Sequence, residues 1–342
     1  MTMNFAGAGV ESVTLTNTAD GTKHTVITGN VILPLAPNTT YNITMTPNYR
    51  FESWSSVSGT LGSTSTMNTT YSTTSNDTLT ITGNTGLFMH NMTLSDCQVN
   101  VGTNGNAANI GDSIIVYDAR ISNYSSGDDG SYTARYINGY CWMTQNLRVQ
   151  GTLPAEYSNF SGSDFNVSQY DSKQTTCGSG YNGYKTVCSH IPDSSDLATI
   201  GNSATTQSVG AYYNYCAASA GTICIESYIQ NPSSTSDVCP SGWHIPTGAP
   251  NNSNSEFYRL FQTTSTNNIS SNNYLNAFGA VRVGFIGGQN SLNNYESGYW
   301  WSSGLVSTGN RYVLTANSDN TFKGGSSWER YNSMPIRCVK SS

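Results

Sequence analysis

Four histidines, eight cysteines and one pair of adjacent aspartates are the residues whose types could carry catalysis or hold a metal in this chain of 342 residues. His24, His90, His190 and His244 stand apart from one another, and none lies at zinc-ligand spacing from a cysteine pair, so no metal site is expected. His244 sits inside the run CPSGWHIPT (Cys239 to Thr247) and reads as a partly buried, hydrogen-bonded histidine rather than a base. Asp128 and Asp129, followed by Gly130, offer carboxylates to a hard cation but fall well short of the roughly six to eight oxygens that calcium takes. They read as a polar turn. No nucleophile elbow, HExxH, phosphate-binding loop or dinucleotide fingerprint occurs. No catalytic residue and no cofactor is expected, and the chain is not expected to be an enzyme.

The cysteines are Cys97, Cys141, Cys177, Cys188, Cys216, Cys224, Cys239 and Cys338, an even set without a CxxC pair. That pattern favours disulfides, and disulfides imply an oxidising, extracellular compartment. Cys177 with Cys188 and Cys216 with Cys224 are near neighbours, but eight cysteines allow about a hundred pairings, which leaves the connectivity open. Charged residues make up 10% of the chain, against roughly 25% in ordinary globular proteins. Ser, Thr, Asn and Gly must therefore supply the solvated surface. Fourteen basic and 20 acidic residues give a net charge of -6, which provides no electrostatic footprint for nucleic acid or anionic lipid. No run approaches the length of a membrane span, and Met1 to Val10 lacks the basic and apolar regions of a signal peptide. Direct membrane insertion is not expected, and any secretion signal or anchor is expected to lie outside this sequence.

Two regions must position whatever the chain displays. Residues 1–86 are a series of short alternating runs, such as Val13 to Thr16, Tyr41 to Met45 and Thr78 to Ile81, separated by turns rich in Gly, Asn, Asp and Pro. Such a pattern predicts an all-β module. Residues 87–342 begin with an irregular segment, Met89 to Gln98, held by Cys97. Strands are expected at Ile114 to Tyr117 and Tyr132 to Ile137, with a loop from Ser122 to Gly130 between them. Residues 150–210 show little periodicity and read as a long insertion, or as a segment stapled by Cys177 and Cys188. A helix is expected over Asn254 to Thr263, where Phe257, Leu260 and Phe261 share one face and Ser253 or Ser255 can cap it. A weaker helix is expected over Asn273 to Phe278, and strands resume from Val281.

Five motifs run through the second region: YINGYCWMTQNL (Tyr136 to Leu147), GAYYNYCAA (Gly210 to Ala218), CPSGWHIPT, GYWWSS (Gly298 to Ser303) and IRCV (Ile336 to Val339). In order and spacing, over roughly Met89 to Lys340, they resemble the Fibrobacter succinogenes major paralogous domain. The resemblance implies an α+β, C-type-lectin-like domain following an N-terminal all-β module of Ig-like or β-repeat type. It also implies a bridge between Cys239 and Cys338, which leaves Cys97 for Cys141. The segment Tyr41 to Leu61 is similar to a bacterial surface repeat, which implies that Phe51 and Trp54 are core residues and that the module is a spacer. The EPN, QPD and WND tripeptides of calcium-dependent sugar-binding lectins are missing.

Between Gln289 and Asn332 the chain is dominated by Asn, Ser, Tyr, Gly and Thr around the fixed aromatic motif. Rigid aromatics among small hydrogen-bonding side chains make good contact surfaces. This segment resembles the variable region of proteins diversified by retroelements through adenine randomisation. Tyr295, Tyr299, Tyr312, Trp328 and Tyr331 are the expected aromatic anchors, with Asn290, Asn293, Asn294, Asn310 and Arg330 as polar contacts. Trp300 and Trp301 are expected in the frame. The expected function is a secreted or surface-anchored adhesin or receptor for a protein or glycan on another cell or surface. A fixed structural surface protein or a glycan-binding lectin is the alternative, and an enzyme of the formylglycine-generating type is a remote one.

Overall fold

A computed structural model of the protein describes all residues except 1, 6–9, 27–30, 48, 65–67, 76, 122–129, 161–163, 168–183, 202, 225–235, 250–253, 262–268, 271–272, 288–291, 308, 320 and 342. The chain is mostly β with few, short helices. It divides into two compact units, Met1–Asn91 and Met92–Ser342, five residues beyond the 86/87 junction at which the alternating runs end.

Alternation builds the first unit. Val10–Asn17 pairs antiparallel with Lys23–Val26 and Thr39–Pro47, and the sheet continues through Thr69–Thr73 to Thr60–Leu61. A second group joins Thr2–Phe5, Val31–Ile32, Tyr49–Ser56 and Thr78–Phe88. Because strand side chains alternate between faces, Val13, Leu15, Tyr41 and Ile43 point to one side, where they meet Leu33, Trp54, Tyr71 and Leu79. Each such side chain stabilises the fold by about 1.5–3 kcal/mol on burial. Trp54 is buried as its motif implied; the Phe51 side chain lies outside the described residues. Asp77 latches the turn beside this core. Its carboxylate accepts from the backbone N–H groups of Val57, Ser58, Gly59 and Thr78, from the Tyr71 hydroxyl at 2.7 Å and from Ser56 Oγ. Burial opposes the charge, yet the hydrogen bonds from Ser56, Tyr71 and the backbone win and hold the carboxyl well below the usual carboxylate range. Gly59 is required there, since a Cβ would fall 2.4 Å from the Tyr71 ring.

The second unit is closed by its own C-terminus. Ile110–Tyr117, Ser131–Ile137 and Tyr140–Met143 form an antiparallel run, and Val339–Lys340 pairs with Tyr140–Met143 at its edge. Cys97–Cys141 and Cys239–Cys338 tie adjacent segments at this junction, and Cys216–Cys224 closes a short loop. Cys188 is also disulfide-bonded; Cys177 lies outside the described residues, as do Asp128 and Asp129. A second antiparallel sheet runs Gly298–Leu305, Asn310–Ala316, Thr321–Glu329, Ile269–Ser270. Helices occupy Glu256–Phe261 and Asn273–Phe278. The first carries Phe257 and Leu260 into the core with Trp142, Phe278 and Trp300, and Ser255 Oγ accepts from Tyr258 N. The region 150–210 holds more order than expected, with a Gly151–Leu153/Phe165–Val167 hairpin and a helix over Ser194–Ile200. Asp193 and Asp196 form a capping box at that helix. The sequence DSSD displays that signal, but the weak apolar periodicity behind it hides the helix.

Three of the five sequence motifs meet at one buried node, through Asn146, Trp300 and Arg337. Arg337, fully buried, donates from Nε to Asn146 Oδ1 at 2.8 Å, from Nη2 to Gly279 O at 2.8 Å and from Nη1 to Phe278 O. Trp300 Nε1 donates to the same Asn146 oxygen at 2.8 Å, and Asn146 Nδ2 donates to Val209 O at 2.7 Å. The guanidinium also lies 4.3 Å from the Phe278 ring centroid and 5.3 Å from that of Trp300. Burial lowers its pKa to about 9, so the group stays charged at neutral pH. Replacing Asn146 with Leu leaves Arg337 and Trp300 without their shared acceptor. The expected loss is about 3 kcal/mol, or roughly 6–12 °C in melting temperature for a unit of this size. A calorimetric loss under about 1 kcal/mol would show that the node rearranges or hydrates freely.

Candidate ligand face and its supporting frame

The candidate face begins at a turn that only glycine permits. Gly284 has φ +67° and a Cβ there would fall 2.2 Å from Asn293 O. Its neighbours form a narrow hairpin, with Phe285 opposite Asn293 and Ile286 opposite Leu292. Asn294 then takes a left-handed conformation, and Ser297 N donates to Asn294 O at 2.8 Å, closing a turn that carries Tyr295 at 42% exposure. Beneath this turn Phe285, Tyr299 and Trp328 pack into a trio. Ring centroids are 5.1 Å for Phe285–Tyr299, 5.2 Å for Tyr299–Trp328 and 4.6 Å for Phe285–Trp328. Asn294 Nδ2 donates to the Tyr299 hydroxyl at 3.3 Å.

Strand register carries the face onward. Arg311 pairs with Trp328, Tyr312 with Ser327 and Asn310 with Glu329. Tyr331 donates its hydroxyl to the Glu329 carboxylate, and that bond, with some burial, pushes the phenol pKa up to about 12. The ring of Tyr331 meets Tyr184 at 5.5 Å, and the Arg330 guanidinium lies 5.2 Å from the Tyr184 centroid.

These contacts sort the expected contact residues. Asn294 and Tyr295 are exposed, and Asn293, Asn310, Tyr312, Trp328 and Tyr331 are partly buried. Two expectations need correction. Tyr299 is only 7% exposed and Arg330 only 4%. Tyr299 is enclosed by Phe285 and Trp328, and Arg330 turns inward to Tyr184 and donates to Ile223 O at 3.4 Å. Both therefore support the face rather than form it. Asn290 lies outside the described residues. Phe285 and Tyr184 are members of the cluster that sequence reasoning passed over, because a phenylalanine in an alternating run reads as ordinary core.

Behind the face, Trp300 and Trp301 are both fully buried. Trp301 Nε1 donates to Tyr213 O at 2.7 Å, and its ring meets Tyr215 at 5.3 Å. Arg311, 2% exposed, lies 4.7 Å from the Tyr215 centroid. Among the described residues no cysteine is free, no group of three or more His, Cys, Asp or Glu could hold a metal, and no helix is long and apolar enough to cross a membrane.

No protein-family profile, no curated protein and no solved structure matches this chain.

His244 is part of the frame. Its Nε2–H donates to Glu256 Oε1 at 2.6 Å, while Glu256 Oε2 accepts from Thr247 N at 2.7 Å. Burial lowers the histidine pKa, but the hydrogen bond and charge of Glu256, aided by Asp237, outweigh burial and Lys340, so the net shift is upward. A raised folded pKa contributes stability that is fully present below the unfolded value of about 6.5 and is lost as pH rises through the folded value. The melting temperature of the wild type should accordingly fall with pH above about 6.5 relative to that of His244→Gln. Parallel profiles for the two proteins would remove His244 from the pH dependence.

Proposed function

We propose that this chain is a secreted or surface-displayed binding protein, in which a C-type-lectin-like unit presents a ligand face and the N-terminal β-unit serves as a spacer. The observation that carries this reading is the Tyr295 turn above the Phe285–Tyr299–Trp328 trio. It sets a large exposed aromatic and two asparagines on a base that is already packed. Such a base keeps the ordering cost of binding low, and aromatic anchors among adaptable polar side chains suit recognition of a protein or glycan. The disulfides support an oxidising location. With the described cysteines engaged in disulfides, thiol chemistry of the formylglycine-generating type has less support than binding.

The composition of Gln289 to Asn332 further supports diversification of this face by a retroelement. Sequencing the encoding locus across a population of source cells tests that part. Substitutions confined to the codons of this segment, with a near-identical template copy and a reverse transcriptase gene nearby, are the expected result. A uniform 3′ end lacking both neighbours would leave a fixed adhesin or structural surface protein. For binding itself, labelled protein is applied to cells from the source community. Tyr295→Ala combined with Tyr312→Ala is expected to lower binding at least tenfold, a typical effect of removing aromatic anchors, while the melting temperature stays within about 2 °C. A large fall in melting temperature would show that these tyrosines pack the core instead.

A further inference from the structure

A cavity of about 350 Å³ opens in the second unit and shares no residue with the aromatic face. Its walls are Asn106, Arg135 and Asn276, with Ala107, Ile110 and Ala277 as the apolar part. The volume lies within the range of small-molecule sites.

Arg135 is held in place before any ligand arrives. It stands on the Ser131–Ile137 strand, donates from Nε to Gly111 O and donates from Nη2 to Asn106 Oδ1 at 2.6 Å. Asn106 in turn donates to Asp112 Oδ1 at 2.6 Å, and Asp112 Oδ2 accepts from Asn100 at 2.7 Å. Asp112 thus takes amide hydrogens and makes no direct hydrogen bond to the guanidinium, although its charge acts on Arg135 at longer range. The remaining N–H groups of Arg135 find no acceptor among the described residues, and a guanidinium presents its donors as a planar fork suited to a carboxylate. On the Asn273–Phe278 helix, the Asn276 side chain is exposed and enters no hydrogen bond among the described residues. Its amide offers a donor and an acceptor that match hydroxyl groups, whereas both Nδ2 hydrogens of Asn106 are taken by Asp112 Oδ1 and Asn100 O, leaving Asn106 only its Oδ1 as an acceptor. Ala107, Ala277 and the buried Ile110 leave a shallow apolar floor for C–H groups.

We propose that this cavity binds a small hydroxylated carboxylate of the hexuronate type, with the carboxylate on Arg135 and the hydroxyls on the Asn276 amide and the Asn106 Oδ1. This assignment is independent of the aromatic face and of the binding role proposed for it.

Isothermal titration of the full chain against glucuronate and galacturonate, with glucose and galactose as uncharged controls, tests the site. A ligand of about a dozen heavy atoms at ordinary efficiency reaches a dissociation constant on the order of 1 mM. The uronates are expected near that value, and the neutral sugars at least tenfold weaker. Asn276→Trp fills the cavity from an exposed helix position and should abolish uronate binding with an unchanged melting temperature. Arg135→Gln should remove the preference for uronate over neutral sugar. Should Arg135→Gln unfold the unit, Asn276→Trp carries the test alone. Equal binding of charged and uncharged sugars, no binding of either, or wild-type affinity in Asn276→Trp would overturn the assignment.

Discussion

Burying the charge of Arg337 with no acidic partner among the described residues is the constraint around which the second unit is arranged. A guanidinium removed from water needs hydrogen-bond partners, and here two backbone carbonyls and one asparagine oxygen give each of its three nitrogens one acceptor. Two aromatic faces add to this. These partners come from three separate parts of the chain. Asn146 follows the Tyr140–Met143 strand, Phe278 ends a helix, and Trp300 lies in the Gly298–Leu305 strand. A change in any one exposes a buried polar atom in another. The position of the terminal segment therefore sets the position of the late sheet that carries Trp328.

Main-chain bonds and disulfides extend the same closure. Met143 N donates to Cys338 O, Leu147 N to Ile336 O and Tyr213 N to Met334 O, while His244 and Val339 exchange both of their bonds. Cys239–Cys338 crosses this seam. Further charges are buried under the same rule. Asp118 and Arg120 form a fully enclosed pair at 2.6 Å, and Arg120 donates onward to Val238 O. The first unit reaches rigidity by the opposite charge, with one aspartate gathering the donors of an entire turn. In both units a polar group of fixed geometry specifies a loop that apolar packing alone would leave free.

A rigid base has a consequence for the face above it. The turn at Asn293, Asn294 and Tyr295 rests on the aromatic trio and contributes only its own side chains to the exterior. Substitutions at the exposed positions leave the node at Arg337 untouched, whereas Tyr299 and Arg330 do not have that freedom. The side chains that can be replaced without disturbing the frame are thus those that leave it, not those whose type alone suits contact.

The sequence by itself determined the parts that depend on local pattern. Alternation gave the core strands of the first unit, since period-two burial follows from backbone geometry. Periodicity marked the helix at Glu256–Phe261, a weaker helical pattern marked that at Asn273–Phe278, and the family resemblance of the GYWWSS motif implied Trp300 and Trp301 as frame. Only the tertiary structure decided which tyrosines and arginines face outward. Tyr299 and Tyr295 have the same side-chain chemistry four positions apart, and one is covered because Phe285 and Trp328 arrive from elsewhere in the chain. Arg337 and Asn146 carry no local signal of their partnership, and Arg135 carries none of its cavity. Their roles arise from contacts between residues distant in sequence, where burial and hydrogen-bond satisfaction depend on the folded arrangement and not on the neighbouring residues.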